Sequence, residues 1–142
     1  AYTETPSEYQ QVVDRLAKKH KAAANAVPLP KIQRRASAQF GVITIGSCDA
    51  AVQEALDSLE DREIIADYMR ICGFPFHKSV EAFLYEHEFC FVVEQNRDAQ
   101  LRSLLILETC VPKDRVRSVL VYGGFPLSAR HVVDAITSQL ER

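Results

Sequence analysis

Apolar residues in this chain follow two rhythms. Four short runs are rich in Val, Ile and Phe: Gly41–Ile45, Ala66–Ile71, Phe89–Glu94 and Val116–Tyr122. Runs of that length and composition read as strands buried on both faces. Between and after them the apolar spacing lengthens to threes and fours. Val52, Ala55, Leu56 and Leu59 form one such set; Val80, Phe83 and Leu84 a second; Leu101, Leu104 and Leu105 a third; Val132, Val133, Ile136 and Leu140 a fourth. Each is the inward face of an amphipathic helix. The pivot is Phe89–Leu105, FCFVVEQNRDAQLRSLL, where an apolar run stops at Glu94-Gln95-Asn96-Arg97 and a helix over Asp98–Thr109 begins at once. Strict strand-then-helix alternation with short loops predicts an α/β fold, a mostly parallel sheet with helices on both faces.

The first part of the chain is different. Thr5-Pro6-Ser7-Glu8 is a helix start, with Thr5 as N-cap, Pro6 at the first helical position and Glu8 closing a capping box. Tyr9, Val12, Val13, Leu16, Ala23 and Ala24 fall on one helical face, and Lys18, Lys19 and Lys21 crowd its far end. Those lysines are either a basic docking patch or a solvated end that complements the helix dipole; no aromatic residue interleaves with them, which favours the second. Val27-Pro28-Leu29-Pro30-Lys31 is extended. The region 27–36 has room for an outer strand whose direction periodicity does not give. We therefore divide the chain into residues 1–34, a helix and linker, and 35–142, the α/β domain.

All four strand-to-helix turns, at 46–49, 72–76, 94–98 and 123–127, share one edge of the sheet. If the first strand is central, pairing with the second on one side and the third on the other, the crevice opens between Gly46-Ser47 and Glu94-Gln95-Asn96.

Composition narrows the field. The 142 residues suffice for one domain. With 47% hydrophobic and 25% charged residues and a net charge of −2, the chain is an ordinary soluble domain with no field for nucleic acid or an anionic membrane. No apolar stretch approaches the roughly 20 residues of a membrane span, and no signal peptide is visible. Cys48, Cys72, Cys90 and Cys110 are irregularly spaced with no C-x-x-C pair. Reduced thiols in a cytoplasmic protein are expected, with Cys90 a small core residue, and no metal site. The chain starts at Ala1 and its only methionine is Met69, which suggests a processed start or a segment of a longer polypeptide.

Chemistry is sparse. Gly46-Ser47-Cys48-Asp49 precedes a helix, so its N–H groups could hold a phosphate, but it lacks the glycines of a dinucleotide loop and the ending of a P-loop. Asp49 or Ser47 would cap that helix. Cys48 is a nucleophile only if the helix terminus lowers its pKa; a lone turn cysteine is more often inert. Glu94 and Arg97 are either acid and clamp or a structural ion pair, and Asn96 caps the next helix. Gly123 and Gly124 permit close backbone approach. His20, His77, His87 and His131 have no ligand spacing and read as surface or boundary residues. Neither a Ser-His-Asp order nor H-E-x-x-H occurs.

Several stretches together are familiar. AYTETPSEYQQVVDRLAKK, GVITIGSCDAAVQEALDSL, ADYMRICGFPF, FVVEQNRDAQLRSLLILET and VYGGFPLSARHVVDAI resemble, in that order, the carboxyl-terminal part of the α subunit of 2-oxoacid:ferredoxin oxidoreductases, the 2-oxoglutarate type in particular. VVEQNRDAQLRSLL is the most specific piece. The resemblance implies a three-layer α/β/α domain similar to the carboxyl-terminal domain of transketolase, with a mostly parallel five-stranded sheet and one antiparallel strand. It implies a whole enzyme that oxidises a 2-oxoacid, forms acyl-coenzyme A and reduces ferredoxin, using thiamine diphosphate, magnesium, iron–sulfur clusters and coenzyme A. The pyrimidine-binding domain would lie upstream, and the diphosphate-binding domain in the partner β subunit. This segment has no Gly-Asp-Gly and no cluster cysteines. By this resemblance it is a structural, subunit-packing domain, inactive alone. Its rim residues Gly46, Ser47, Glu94, Asn96, Arg97, Gly123 and Gly124 would face the rest of the α subunit and the β subunit. Cys48 stands where a small hydroxyl residue is expected. The alternative is a free-standing small-molecule or nucleotide-binding module that uses the Gly46-Ser47 helix terminus.

Overall fold

In the computed structural model, which describes residues 3–141, five strands form one sheet: β1 (Lys31–Gln33), β2 (Phe40–Ile45), β3 (Ala66–Ile71), β4 (Cys90–Glu94) and β5 (Val116–Leu120). Their order is β1-β3-β2-β4-β5. β2 is central and runs parallel to β3 and β4, and β5 is parallel to β4. The extra strand in the linker is β1, antiparallel to β3, with Lys31 opposite Arg70 and Gln33 opposite Tyr68. The last strand stops at Leu120, two residues before the sequence pattern suggested, and Tyr122 is exposed.

Among the described residues four helices flank the sheet, α2 (Asp49–Glu60), α3 (Lys78–Glu86), α4 (Gln100–Thr109) and α5 (Ala129–Leu140), and α1 (Pro6–Ala23) precedes it. Strand parity sorts the core into two layers. Phe40 and Val42 of β2, with Phe91 and Val93 of β4, pack under Val52, Leu56 and Leu59 of α2 and Val132 and Ile136 of α5. Ile43 of β2, with Cys90 and Val92 of β4, packs under Val80, Phe83 and Leu84 of α3 and Leu101 and Leu105 of α4. The three-layer architecture is therefore as the strand and helix periods require. Gly41 sits on the α3 side, where a Cβ would lie 2.7 Å from both Cys90 Sγ and Phe83 Cε1. A side chain there has no room, so this glycine is a packing requirement of the centre of the sheet.

α1 departs from expectation. None of its residues is buried, and Tyr9, Val12, Val13 and Leu16 are exposed. The Thr5 side chain makes no cap hydrogen bond; the Thr3 hydroxyl instead donates to Glu8 at 2.6 Å. The helix touches the domain at its far end, where the ring of His20 lies 5.7 Å from that of Phe74. Tyr9, Val12, Val13 and Leu16 stay uncovered, so the capping and amphipathic signals located a helix and gave no information about its cover.

The amino-terminal edge of the sheet holds a polar cluster that the sequence did not disclose. Asp67, at the start of β3, accepts from Arg34 Nη1 at 2.7 Å, from the Arg35 backbone N–H at 2.8 Å and from His87 Nε2 at 3.1 Å. His87 Nδ1 faces the Phe83 carbonyl at 2.8 Å. His87 is thus no boundary residue: it is 7% exposed, with a strand-edge carboxylate and a helix-end carbonyl facing its two ring nitrogens. Burial works to raise the Asp67 pKa, but the Arg34, Arg35 and His87 hydrogen bonds and the Arg34 charge outweigh it and hold the carboxyl below its usual range. The cluster fastens the linker after β1 to the sheet.

Candidate functional site: the carboxyl edge of the sheet

The crevice falls where sheet order reverses, between β2 and β4. The Ser47 hydroxyl donates to Gln95 Oε1 at 3.2 Å, and Gln95 Nε2 reaches the Phe125 carbonyl at 3.5 Å. Three of the four strand-to-helix turns are thereby joined across the edge. Beside them Ser47, Gln95, Tyr122, Gly124, Phe125 and Leu127 line an open groove of about 600 Å³. Phe125 is 81% exposed and Tyr122 is exposed as well.

Glu94 is the organising residue. It is the last residue of β4, and its parity with Cys90 and Val92 turns it toward the α4 layer. It is 2% exposed. Its Oε2 accepts from Asn96 Nδ2 and from the Leu101 backbone N–H, both at 2.7 Å, and its Oε1 accepts from the Arg102 N–H at 3.0 Å. The strand-end carboxylate therefore caps the next helix, where the dipole also favours a negative charge. Asn96 adds to the cap: its Oδ1 accepts from the Asp98 and Gln100 N–H groups at 3.1 and 3.3 Å. Ala99, between them, is left-handed at φ 50°. Of the two readings of Glu94 and Arg97, acid and clamp or ion pair, the geometry supplies neither. Arg97 turns to Asp98 at 2.7 Å on the surface, while Glu94 spends its lone pairs on backbone N–H groups.

A second network fixes the turn after β2. The Tyr68 hydroxyl donates to Asp49 Oδ1 at 2.6 Å, and the Thr44 hydroxyl, 2.8 Å from the phenol oxygen, completes the chain. Arg70 Nη1 pairs with Asp49 Oδ2 at 2.9 Å and its Nη2 reaches the Gly46 carbonyl at 3.3 Å. Burial, followed by the Asp49 carboxylate, pushes the Tyr68 phenol well above its ordinary pKa, so it stays a donor. Asp49 does not cap α2, as the sequence suggested; its oxygens are occupied across the sheet by β3 residues. Ser47 does not cap it either, since residues 46–48 form a short 3-10 turn. Gly46 takes φ +64° there, a conformation that favours glycine. Cys48 is buried in the α2 layer, and burial raises its thiol pKa, which removes it as a nucleophile. Gly124, at φ +80°, turns the chain after β5, and a Cβ at either Gly123 or Gly124 would meet nothing within 4 Å, so no close approach requires them here.

Neither a metal ion nor a diphosphate at the α4 terminus fits the residues of this edge. Among the described residues no group of three or more His, Cys, Asp or Glu side chains could hold a metal ion. The α4 N-terminus, the natural place for a diphosphate, is already filled by Glu94 and Asn96. Cys48 and Cys90 lie in opposite layers of the core, so they cannot share a cluster. All four cysteines are free. No helix among the described residues is long and apolar enough to cross a membrane.

No protein-family model matches the chain, and neither does any curated protein. Solved structures do. The 2-oxoglutarate:ferredoxin oxidoreductase from Magnetococcus marinus, with 2-oxoglutarate, coenzyme A and succinyl-CoA bound, matches over 99% of this chain at a TM-score of 0.84 and 20% identity. This chain spans 24% of that one. A split-gene transketolase, an inactive β4 tetramer, matches over 79% of this chain and 41% of its own, with a TM-score of 0.63 and 19% identity. The α chain of a probable 2-oxoacid ferredoxin oxidoreductase from Thermoplasma acidophilum matches over 80% of this chain and 98% of its own, with a TM-score of 0.54 and 19% identity. What these similarities share with the sheet order, the layers and the strand-end turns is architecture: the chain has the transketolase carboxyl-terminal-like fold, the one resembled by its sequence.

Proposed function

We propose that this chain is a packing domain of a 2-oxoacid:ferredoxin oxidoreductase α subunit, of the 2-oxoglutarate type, and that it performs no chemistry by itself. The observation that carries this reading is the state of the carboxyl edge. Glu94, Asp49 and Arg70, charged groups of this edge, have their hydrogen bonds within the chain. What the edge offers outward is instead an aromatic pair, Tyr122 and Phe125, on a glycine-containing turn. Exposed aromatics beside a satisfied polar frame suit protein contact more than catalysis. The structural similarity to an enzyme with 2-oxoglutarate and coenzyme A bound supports the same assignment.

On this reading the turns at 46–49, 94–98 and 123–127 face the rest of the α subunit and the β subunit. Thiamine diphosphate, magnesium, the iron–sulfur cluster and coenzyme A are then held elsewhere in a cytoplasmic assembly that passes electrons to ferredoxin. Calorimetric titration of the chain with coenzyme A, and with thiamine diphosphate plus magnesium, tests this. No saturable binding at micromolar concentration is expected. Saturable binding that is lost in Gly46→Val would instead establish the free-standing nucleotide-binding module.

A further inference from the structure

His87 is buried with an acceptor on each side of its ring. Nδ1 lies 2.8 Å from the Phe83 carbonyl oxygen, and Nε2 lies 3.1 Å from Asp67 Oδ2. A carbonyl oxygen has no proton to give. Asp67 has none either: burial would raise its pKa, but Arg34, the Arg35 N–H and His87 hold the carboxyl below its usual range. A neutral imidazole carries one N–H and leaves its other nitrogen a bare lone pair. Either tautomer would therefore set a lone pair against an oxygen at hydrogen-bond distance, where little water can intervene. Only the doubly protonated ring donates on both sides.

The charges around the ring come from every element packed on it. Asp67 faces it from β3. Glu86, at the end of α3, pairs with Arg34 of the linker. Arg34 shares Asp67 Oδ2 with the ring and lies over Phe83, 5.0 Å from the ring centre. Arg115, in the turn before β5, donates to the backbone carbonyls of His87 and Glu88. Cys90, on β4, stays neutral because burial pushes its thiol up to about 12. Arg35 turns its guanidinium away, to Asp57 and Glu60. Burial and the Arg34 and Arg115 cations oppose a second ring proton; Asp67, Glu86 and the Phe83 carbonyl favour it. With that proton in place, Arg34 and His87 balance Asp67 and Glu86.

We propose that His87 is a buried imidazolium whose second ring proton holds the linker on the sheet, a pH-sensitive latch. Asp67 is the catch, clasped by Arg34 and the Arg35 N–H from the linker and by His87 from the end of α3. When one ring proton leaves, the bare nitrogen repels the oxygen that it faces and the clasp loosens. The hold is complete while the ring carries two protons and is lost as pH rises and one departs. The linker is the part that gives way, because the three residues of β1 are all exposed and pair with β3 alone.

The test is nitrogen NMR of the imidazole in the 142-residue chain, with amide exchange of Arg35 read in the same samples. At about pH 7.5, where an unperturbed histidine is mostly neutral, we expect both ring nitrogens of His87 to carry protons. The pH is then raised until the ring gives one up. Over that step the protection of the Arg35 amide, corrected by an unfolded peptide of the same sequence, should fall at least about tenfold, the weight of one hydrogen bond to a charged group. Val92, inside β4, should keep its protection. His87→Gln, which has no ring proton to lose, should show no such step. A ring with a single proton at about pH 7.5, or a second proton lost with no change at Arg35, would overturn the proposal. So would the same step in His87→Gln, which would assign it to another group. If that variant did not fold, the ring titration and the Arg35 step in the parent would still decide.

Discussion

The Glu94 carboxylate accepts the backbone N–H of Leu101, seven residues further on, at 2.7 Å. A side chain at the end of a strand thus anchors the first turn of the helix that follows. One buried carboxylate couples β4, the crevice turn and α4. Glu94→Gln keeps the shape and turns an amide N–H2 toward N–H donors. We expect a loss of about 1–3 kcal/mol in urea unfolding, the cost of stranding a buried polar group. Asn96→Ala should cost about 1 kcal/mol, as a lost cap does.

Gly41 is as demanding as Glu94 for a different reason. Its missing Cβ makes room for Cys90 Sγ and the Phe83 ring. Gly41→Ala should destabilise by about 1–3 kcal/mol through overpacking. Cys90→Ala, added to it, should recover part of that loss, because the two sites share one contact. Thermal unfolding of the single and double variants measures both effects.

Asp67 links stability to acid. Its folded pKa lies below its unfolded one, so its contribution is complete above the unfolded carboxyl value of about 3.9. It is lost as pH falls through the folded value. Stability should therefore fall below about pH 4. Asp67→Asn should unfold more easily at pH 7 and show a shallower fall between about pH 4 and pH 2. Denaturant midpoints against pH would show a curve parallel to the parent if the cluster contributed nothing.

The thiols should sort by burial. Cys90, pushed up to about 12 by burial, and Cys48, also raised by burial, are inside the core; Cys110 is exposed. At pH 8 a thiol reagent should label Cys110 in the folded chain and reach Cys48 and Cys90 only on unfolding. Rapid labelling of Cys48 would restore it as a candidate nucleophile.

The legibility of the fold followed the range of the forces involved. Strands and helices were readable because each announces itself within six to twelve residues; the central place of β2 was only a supposition, and it is the sheet order that supplies it. The direction of β1 was not readable, since three exposed residues carry no period. Glu94 was read as a candidate acid or ion-pair member; its parity with Cys90 and Val92 would have placed it under α4. Asp49 was misread as a cap because its partners, Tyr68 and Arg70, lie across the sheet. His87 was misread because burial of an imidazole depends on Asp67, twenty residues away.

The most direct measurement is 2-oxoglutarate- and coenzyme A-dependent reduction of ferredoxin, followed anaerobically. We expect no turnover from the 142-residue chain, turnover from the complete α and β subunits, and its loss when residues 3–141 are deleted from α. Turnover by the chain alone, or undiminished turnover without it, would contradict the assignment of a packing domain.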